Sequence, residues 1–127
     1  MHDQEFLFQF EQCTLPKEYF RHKSHIRIAW LYLSKFPIDD AIPLITQGII
    51  RYATSLGAAH IYHETLTRAW IYLVAASMKG IDSDFEAFID KNPHLLDKNL
   101  PFNYYSLALL QSEQAKQQWI EPDIKPL

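Results

Sequence analysis

Two short stretches carry side chains able to do chemistry. HKSH sets His22 and His25 three residues apart, and YHETLTR sets His63 beside Glu64. Three-residue spacing on a helix points two imidazoles the same way, and imidazole is a common ligand for zinc, iron, copper and nickel. His63 and Glu64 read like the front of the H-E-x-x-H signature, in which two histidines one turn apart hold zinc and the glutamate acts as base. The second histidine would fall at position 67, where the chain has Thr67. No Cys-x-x-Cys and no E-x-x-H pair of the ferritin-like kind stands in for it.

Helical projection places His22 and His25 in the arc of Ala29 and Leu33, and His63 near the centre of Trp70 and Val74. Three imidazoles then face inward from the N-terminal ends of two helices. If those ends converge, His22, His25 and His63 form a three-histidine face for a divalent transition metal such as zinc, iron or manganese. Glu64 would be fourth ligand, orienting group or general base. Two other readings stand beside this one. In the first, His63 is a contact in a metal-free ligand pocket with Tyr62, Thr67, Trp30 and Trp70. In the second, the histidines are structural, each nitrogen satisfied by a buried partner. The Thr67 hydroxyl either donates to the imidazole or bonds back to a helix carbonyl one turn earlier. His2, His60 and His94 fall at the terminus or in loops and are weak ligand candidates.

The elements that must hold these groups are legible from periodicity. DQEFLFQFEQC opens with a helix that has Phe6, Phe10 and Cys13 on one side, broken at Leu15-Pro16. A second amphipathic helix carries Ile26, Ala29, Leu33 and Phe36, with Lys23, Ser24, Arg27 and Lys35 turned away. A third spans about 38–56 on Ala41, Ile45, Ile49, Tyr52 and Leu56, with Pro37, Asp39 and Asp40 at its start and Gly57 at its stop. Gly48 inside it costs roughly 1 kcal/mol against alanine, which points to close approach by a neighbouring helix. The fourth runs from His63 to about Met78 on Leu66, Trp70, Leu73, Val74 and Met78, ending at Gly80. Ser83 with Glu86 makes a capping box for a short fifth helix that stops at Asn92-Pro93. A last helix runs from near Ser106 to Trp119, and residues 119–127 form an extended tail. The expected fold is all-α: a single-domain helical bundle of five or six helices over 1–127, centred on the second, third and fourth.

Composition narrows the function classes. At 127 residues the chain can bury one real core. Hydrophobic residues at 48% and charged residues at 21% are globular proportions, not those of a disordered chain. A net charge of -3 with scattered Lys and Arg argues against nucleic acid as a partner. The runs IAWLYL and AWIYLVAASM fall short of the roughly 20 residues a membrane span needs, so no membrane partner is expected. A single cysteine, Cys13, and a start without signal-peptide layout fit a reducing cytoplasm. With no adjacent cationic cluster, Cys13 reads as a buried, inert thiol.

FRHKSHIRIAW and YHETLTRAW, about 40 residues apart, resemble the two marks of a family of small uncharacterised all-α bacterial proteins. Its pattern is F-x-H-x-x-H-[IL]-R-x-A-W followed by Y-H-E-T-[IL]-T. The likeness extends through NPHLLDK, the YYS near 105 and the closing PDIKPL, so it covers most of the chain. It implies that Phe20, His22, His25, Ala29, Trp30, Tyr62, His63, Glu64, Thr65 and Thr67 are pattern positions, and it carries no assigned activity. Where the pattern has a basic residue before the tyrosine pair this chain has Asn103, which puts an anion-binding role there in doubt. The sequence thus points to a small cytoplasmic protein with a histidine-rich interior pocket, a divalent-metal site supporting chemistry on a small molecule. The alternative is a non-catalytic small-ligand-binding or protein-interaction bundle, homo-oligomers included, with structural histidines.

Overall fold

The computed structural model describes every residue except Ile81 and Ser83. The described residues form seven α-helices, joined by short 3-10 turns, and no strand: α1 Asp3–Glu11, α2 His22–Leu33, α3 Ile38–Ser55, α4 Glu64–Ser77, α5 Phe85–Lys91, α6 Leu107–Leu110 and α7 Glu113–Gln117. The all-α expectation holds, and five of these helices have seven or more residues. The chain divides into two compact units, residues 1–62 and 63–127. Of the three helices expected at the centre, α2 and α3 belong to the first unit and α4 to the second. Among the described residues no helix is long and apolar enough to cross a membrane.

In the first unit, α3 packs against both α1 and α2. The stripe Ala41, Ile45, Ile49 and Tyr52 is buried, while Leu56, expected to extend it, lies past the helix end and is exposed. Gly57 ends α3 at φ 69, with its N–H on Thr54 O at 3.0 Å and the Ala58 N–H on Ala53 O at 2.8 Å. These two bonds satisfy carbonyls the helix would leave orphaned. The same motif ends α1, but there Cys13, not glycine, takes the left-handed position at φ 60. It stands just outside the helix, half-buried, and its thiol lies 3.7 Å from Arg51 O. α2 buries a broader face than the expected stripe, adding Ile28, Trp30, Leu31 and Tyr32. Phe36 lies beyond its last turn and is exposed. Arg27, expected to point away, instead reaches back to Asp3 at 2.7 Å with its guanidinium 4.3 Å from the Phe6 ring centroid.

Gly48 is the close approach its sequence position implies. A Cβ there would stand 2.9 Å from Phe10 Cε2 and 3.1 Å from Cζ, and Phe10 is fully buried. Gly48→Ala should gain up to about 1 kcal/mol of helix propensity and lose about 1–3 kcal/mol to overpacking. We expect net destabilisation in urea unfolding, and Gly48→Ala with Phe10→Leu should recover part of it.

In the second unit, α4 packs on α7 and on the 3-10 turn Leu100–Asn103, and α5 on the turn Pro93–Leu96. α4 presents a different face from the expected one. Thr65, Ala69, Ile71, Leu73 and Val74 are buried, and Leu66 and Trp70 are only partly so. The projection was misled because His63 lies outside the helix and small residues, Thr65 and Ala69, line the closest contact. The expected capping box at Ser83 lies outside the described residues; the cap of α5 is Asp84, whose Oδ1 accepts from Ala87 N at 2.8 Å. The single helix expected over 106–119 is two. Ser106 and Ser112 each cap a short helix, accepting from Leu109 N and Ala115 N at 3.1 Å. A hydroxyl that captures a backbone donor in this way competes with continuation of the helix before it.

Candidate functional site

His63 is the N-cap of α4, at φ -130 and ψ 112, rather than its first helical residue. Its Nδ1 accepts from Leu66 N at 3.0 Å, and its Nε2 lies 2.7 Å from the carbonyl of Leu110. An acceptor at Nδ1 and a carbonyl at Nε2 together fix the neutral tautomer with the proton on Nε2. As folded, both ring nitrogens of His63 are committed to the backbone. Glu64 opens α4 and lies 3.9 Å from Arg68 one turn on. That distance is at the outer limit of an ion pair, and the placement at the helix's positive end is a favourable one for a carboxylate.

Thr65 ties α4 to the segment after α7. It is completely buried; its Oγ1 donates to Gln118 O at 2.6 Å and accepts from Ile120 N at 3.1 Å. One hydroxyl thereby satisfies a donor and an acceptor of the segment after α7. Tyr105 adds a second anchor, its phenol donating to Ile120 O at 2.7 Å. Burial, with the Glu121 and Asp123 carboxylates nearby, pushes the Tyr105 phenol up to about 12, so the proton it donates stays in place. Further along, Asp123 accepts from Ser106 N at 2.8 Å and Ile124 N donates to Tyr104 O at 2.9 Å. The expected extended tail is thus non-helical but fastened along its length.

Fastening the tail builds a groove. Tyr72 of α4 and Trp119 stand with ring centroids 5.3 Å apart at 53°, and Glu121, Pro122, Pro126 and Leu127 complete the lining around a volume of about 400 Å³. The Trp119 indole N–H donates to Glu121 Oε1 at 3.2 Å. Arg68 supports the rim: its guanidinium carbon is 5.0 Å from the Trp119 ring centroid, and its Nη2 donates to the Tyr72 hydroxyl at 3.3 Å.

In the first unit, His25 turns Nδ1 to Arg21 O at 2.8 Å and lays its ring 4.2 Å from that of Phe20. Phe20 in turn is 4.3 Å from Tyr52, whose hydroxyl donates to Leu15 O at 2.5 Å. Desolvation lowers the basicity of His25; the Arg21 carbonyl opposes that shift, and the neighbouring His22 adds to it. His25 therefore gives up its proton more readily folded than unfolded, and its stabilising contribution is complete above the ordinary value of 6.5 and lost as pH falls below it. We expect the urea midpoint to decline on acidification from pH 7 to 5, and the decline to be shallower in His25→Gln.

Trp30 is buried and Tyr62 half-buried in the first unit, while Thr67 and Trp70 are half-buried on α4, the Thr67 N–H donating to His63 O at 3.0 Å. Among the described residues no group of three or more His, Cys, Asp or Glu side chains is gathered to hold a metal.

Comparison with known proteins finds no matching family model, no matching curated relative and no matching solved structure. The functional reading therefore rests on the residues themselves. Sequence reasoning gave Tyr72, Arg68 and Glu121 no role, and gave Thr65 only a place in the family pattern. The signal that could have found the groove lay near the tail: Trp119, Pro122, Pro126 and Leu127 are apolar groups within nine residues, and all four line it.

Proposed function

We propose that this protein is a non-catalytic small-ligand-binding module, with its histidines serving the fold and the Tyr72–Trp119 groove serving the ligand. The observation that carries this reading is the double commitment of His63, which leaves neither ring nitrogen for a metal or a proton-transfer step. With His63 so engaged and Glu64 beside Arg68, the two groups expected to act as ligand and general base are both committed within the fold. The groove has the dimensions of a small-molecule site, which commonly spans about 300–1,000 Å³ and is lined mainly by apolar and aromatic groups. A fragment titration followed by the Trp119 indole N–H resonance tests it. Saturable shifts at Trp119, absent at Trp30, are the expected result; binding that shifts neither would overturn it.

A second reading is favoured by one specific feature. The Nδ1 of His25 is held on a backbone carbonyl, as in metal-ligating histidines whose second nitrogen is oriented for coordination. His22 stands three residues before it on the first turn of α2. This pair would hold a divalent metal such as zinc, iron or manganese with ligands added from outside. Elemental analysis of tag-free protein decides it: about one equivalent of metal, lost in His22→Ala and in His25→Ala but kept in His63→Asn, would establish that site in place of the groove.

A further inference from the structure

We propose that the ligand of the Tyr72–Trp119 groove is an apolar molecule bearing an ammonium group, preferably a quaternary one; this deepens, and rests on, the binding-module reading above. Three properties of the lining lead there. The lining carries the side-chain carboxylate of Glu121 and no basic side chain among the described residues, so an anionic ligand meets repulsion and a cation meets a counter-charge. Hydrogen-bond donors are scarce: Pro122 and Pro126 have no N–H, and the Trp119 indole N–H is given to Glu121 at 3.2 Å. The Tyr72 hydroxyl accepts from Arg68 and keeps its own O–H as a single donor. A carboxylate or phosphate, which needs several donors, is poorly served by such a surface. A quaternary ammonium needs none and is attracted instead by ring faces, strongest for tryptophan.

The groove supplies two such faces at an angle. Tyr72 and Trp119, tilted 53° with centroids 5.3 Å apart, make adjoining walls, and the proline rings and Leu127 offer apolar contact to the rest of the molecule. The same indole already holds one cation, the Arg68 guanidinium at 5.0 Å, whose charge is offset by Glu64 at 3.9 Å. That offset lessens its repulsion of an incoming cation and leaves Glu121 to set the sign of the site.

The test uses three probes of one shape on the full chain at low salt: benzyltrimethylammonium, its uncharged isostere neopentylbenzene, and phenylacetate. The readout is the Trp119 indole N–H resonance, identified by its loss in Trp119→Phe. Glu121→Gln removes the charge while keeping an oxygen for the indole to donate to. The expected result is that the ammonium binds more tightly than its isostere and loses roughly two- to fivefold in Glu121→Gln, whereas the isostere is indifferent to that change. Equal binding of both by both proteins, or preference for phenylacetate, would overturn the ammonium assignment and leave the binding module standing. If no probe moves the Trp119 resonance of the folded protein, the groove reading falls with it.

Discussion

Thr65→Val lowers the stability of the second unit by about 2–3 kcal/mol, the cost of stranding one donor and one acceptor whose single partner is removed. Valine fills the same volume, so the loss reports the hydroxyl alone. Its two bonds, to Gln118 O at 2.6 Å and from Ile120 N at 3.1 Å, lie at the start of the segment that forms the groove. The variant should therefore show a second signature besides a lower urea midpoint. Amide exchange at Ile120 and Ile124 should accelerate far more than exchange within α4, and Trp119 fluorescence should shift red as the indole leaves Tyr72. Thr65→Ser, which keeps the hydroxyl, recovers most of both. Uniform acceleration across the unit, with no excess in the tail, would mean that Thr65 acts through packing alone.

His63→Leu is expected to cost a similar amount by a different route. It removes the cap of α4, worth about 1 kcal/mol, and leaves the carbonyl of buried Leu110 without its donor, worth about 1–3 kcal/mol. His63→Asn separates the two, because a shorter amide can still cap Leu66 N but cannot span to Leu110 O. The predicted order of urea midpoints is wild type, then His63→Asn, then His63→Leu. Added zinc should leave that order and its spacing unchanged. A zinc-dependent rise in wild-type stability that vanishes in both variants would reinstate His63 as a ligand.

The parts of the fold that were legible in the sequence are those set by local physics. Gly57 stopping α3, Asn92 and Pro93 stopping α5, and the buried run Ala41, Ile45, Ile49 and Tyr52 follow from backbone preference and 3.6-residue periodicity. Gly48 announced a helix crossing because nothing but a close neighbour justifies glycine there. The site was harder to read. Projection treats His63 as one more helical position, yet a side chain at the N-cap is free to turn back onto its own helix, and that step reverses its role. Thr65 looked unremarkable because its partners are carbonyl and amide groups more than fifty residues away, which no local pattern encodes. Arg27 was read as turned away, and Arg68 was given no role, for the same reason: their apolar stems and guanidinium faces find rings, Phe6 and Trp119, that only the folded chain brings near.

The Thr65 tie also has a consequence in time. Its partner Gln118 follows it by 53 residues, and at about 5–20 residues per second of synthesis roughly 3 to 11 seconds pass before a ribosome supplies that carbonyl. Throughout the interval α4 exists without the segment that covers Thr65 and Ala69. The second unit is thus a late closer, whose nascent form displays an apolar helix face to whatever waits at the tunnel exit. In a cell, occupancy of that face by chaperones should depend on translation speed between codons 65 and 120, and slowing that stretch should lengthen it.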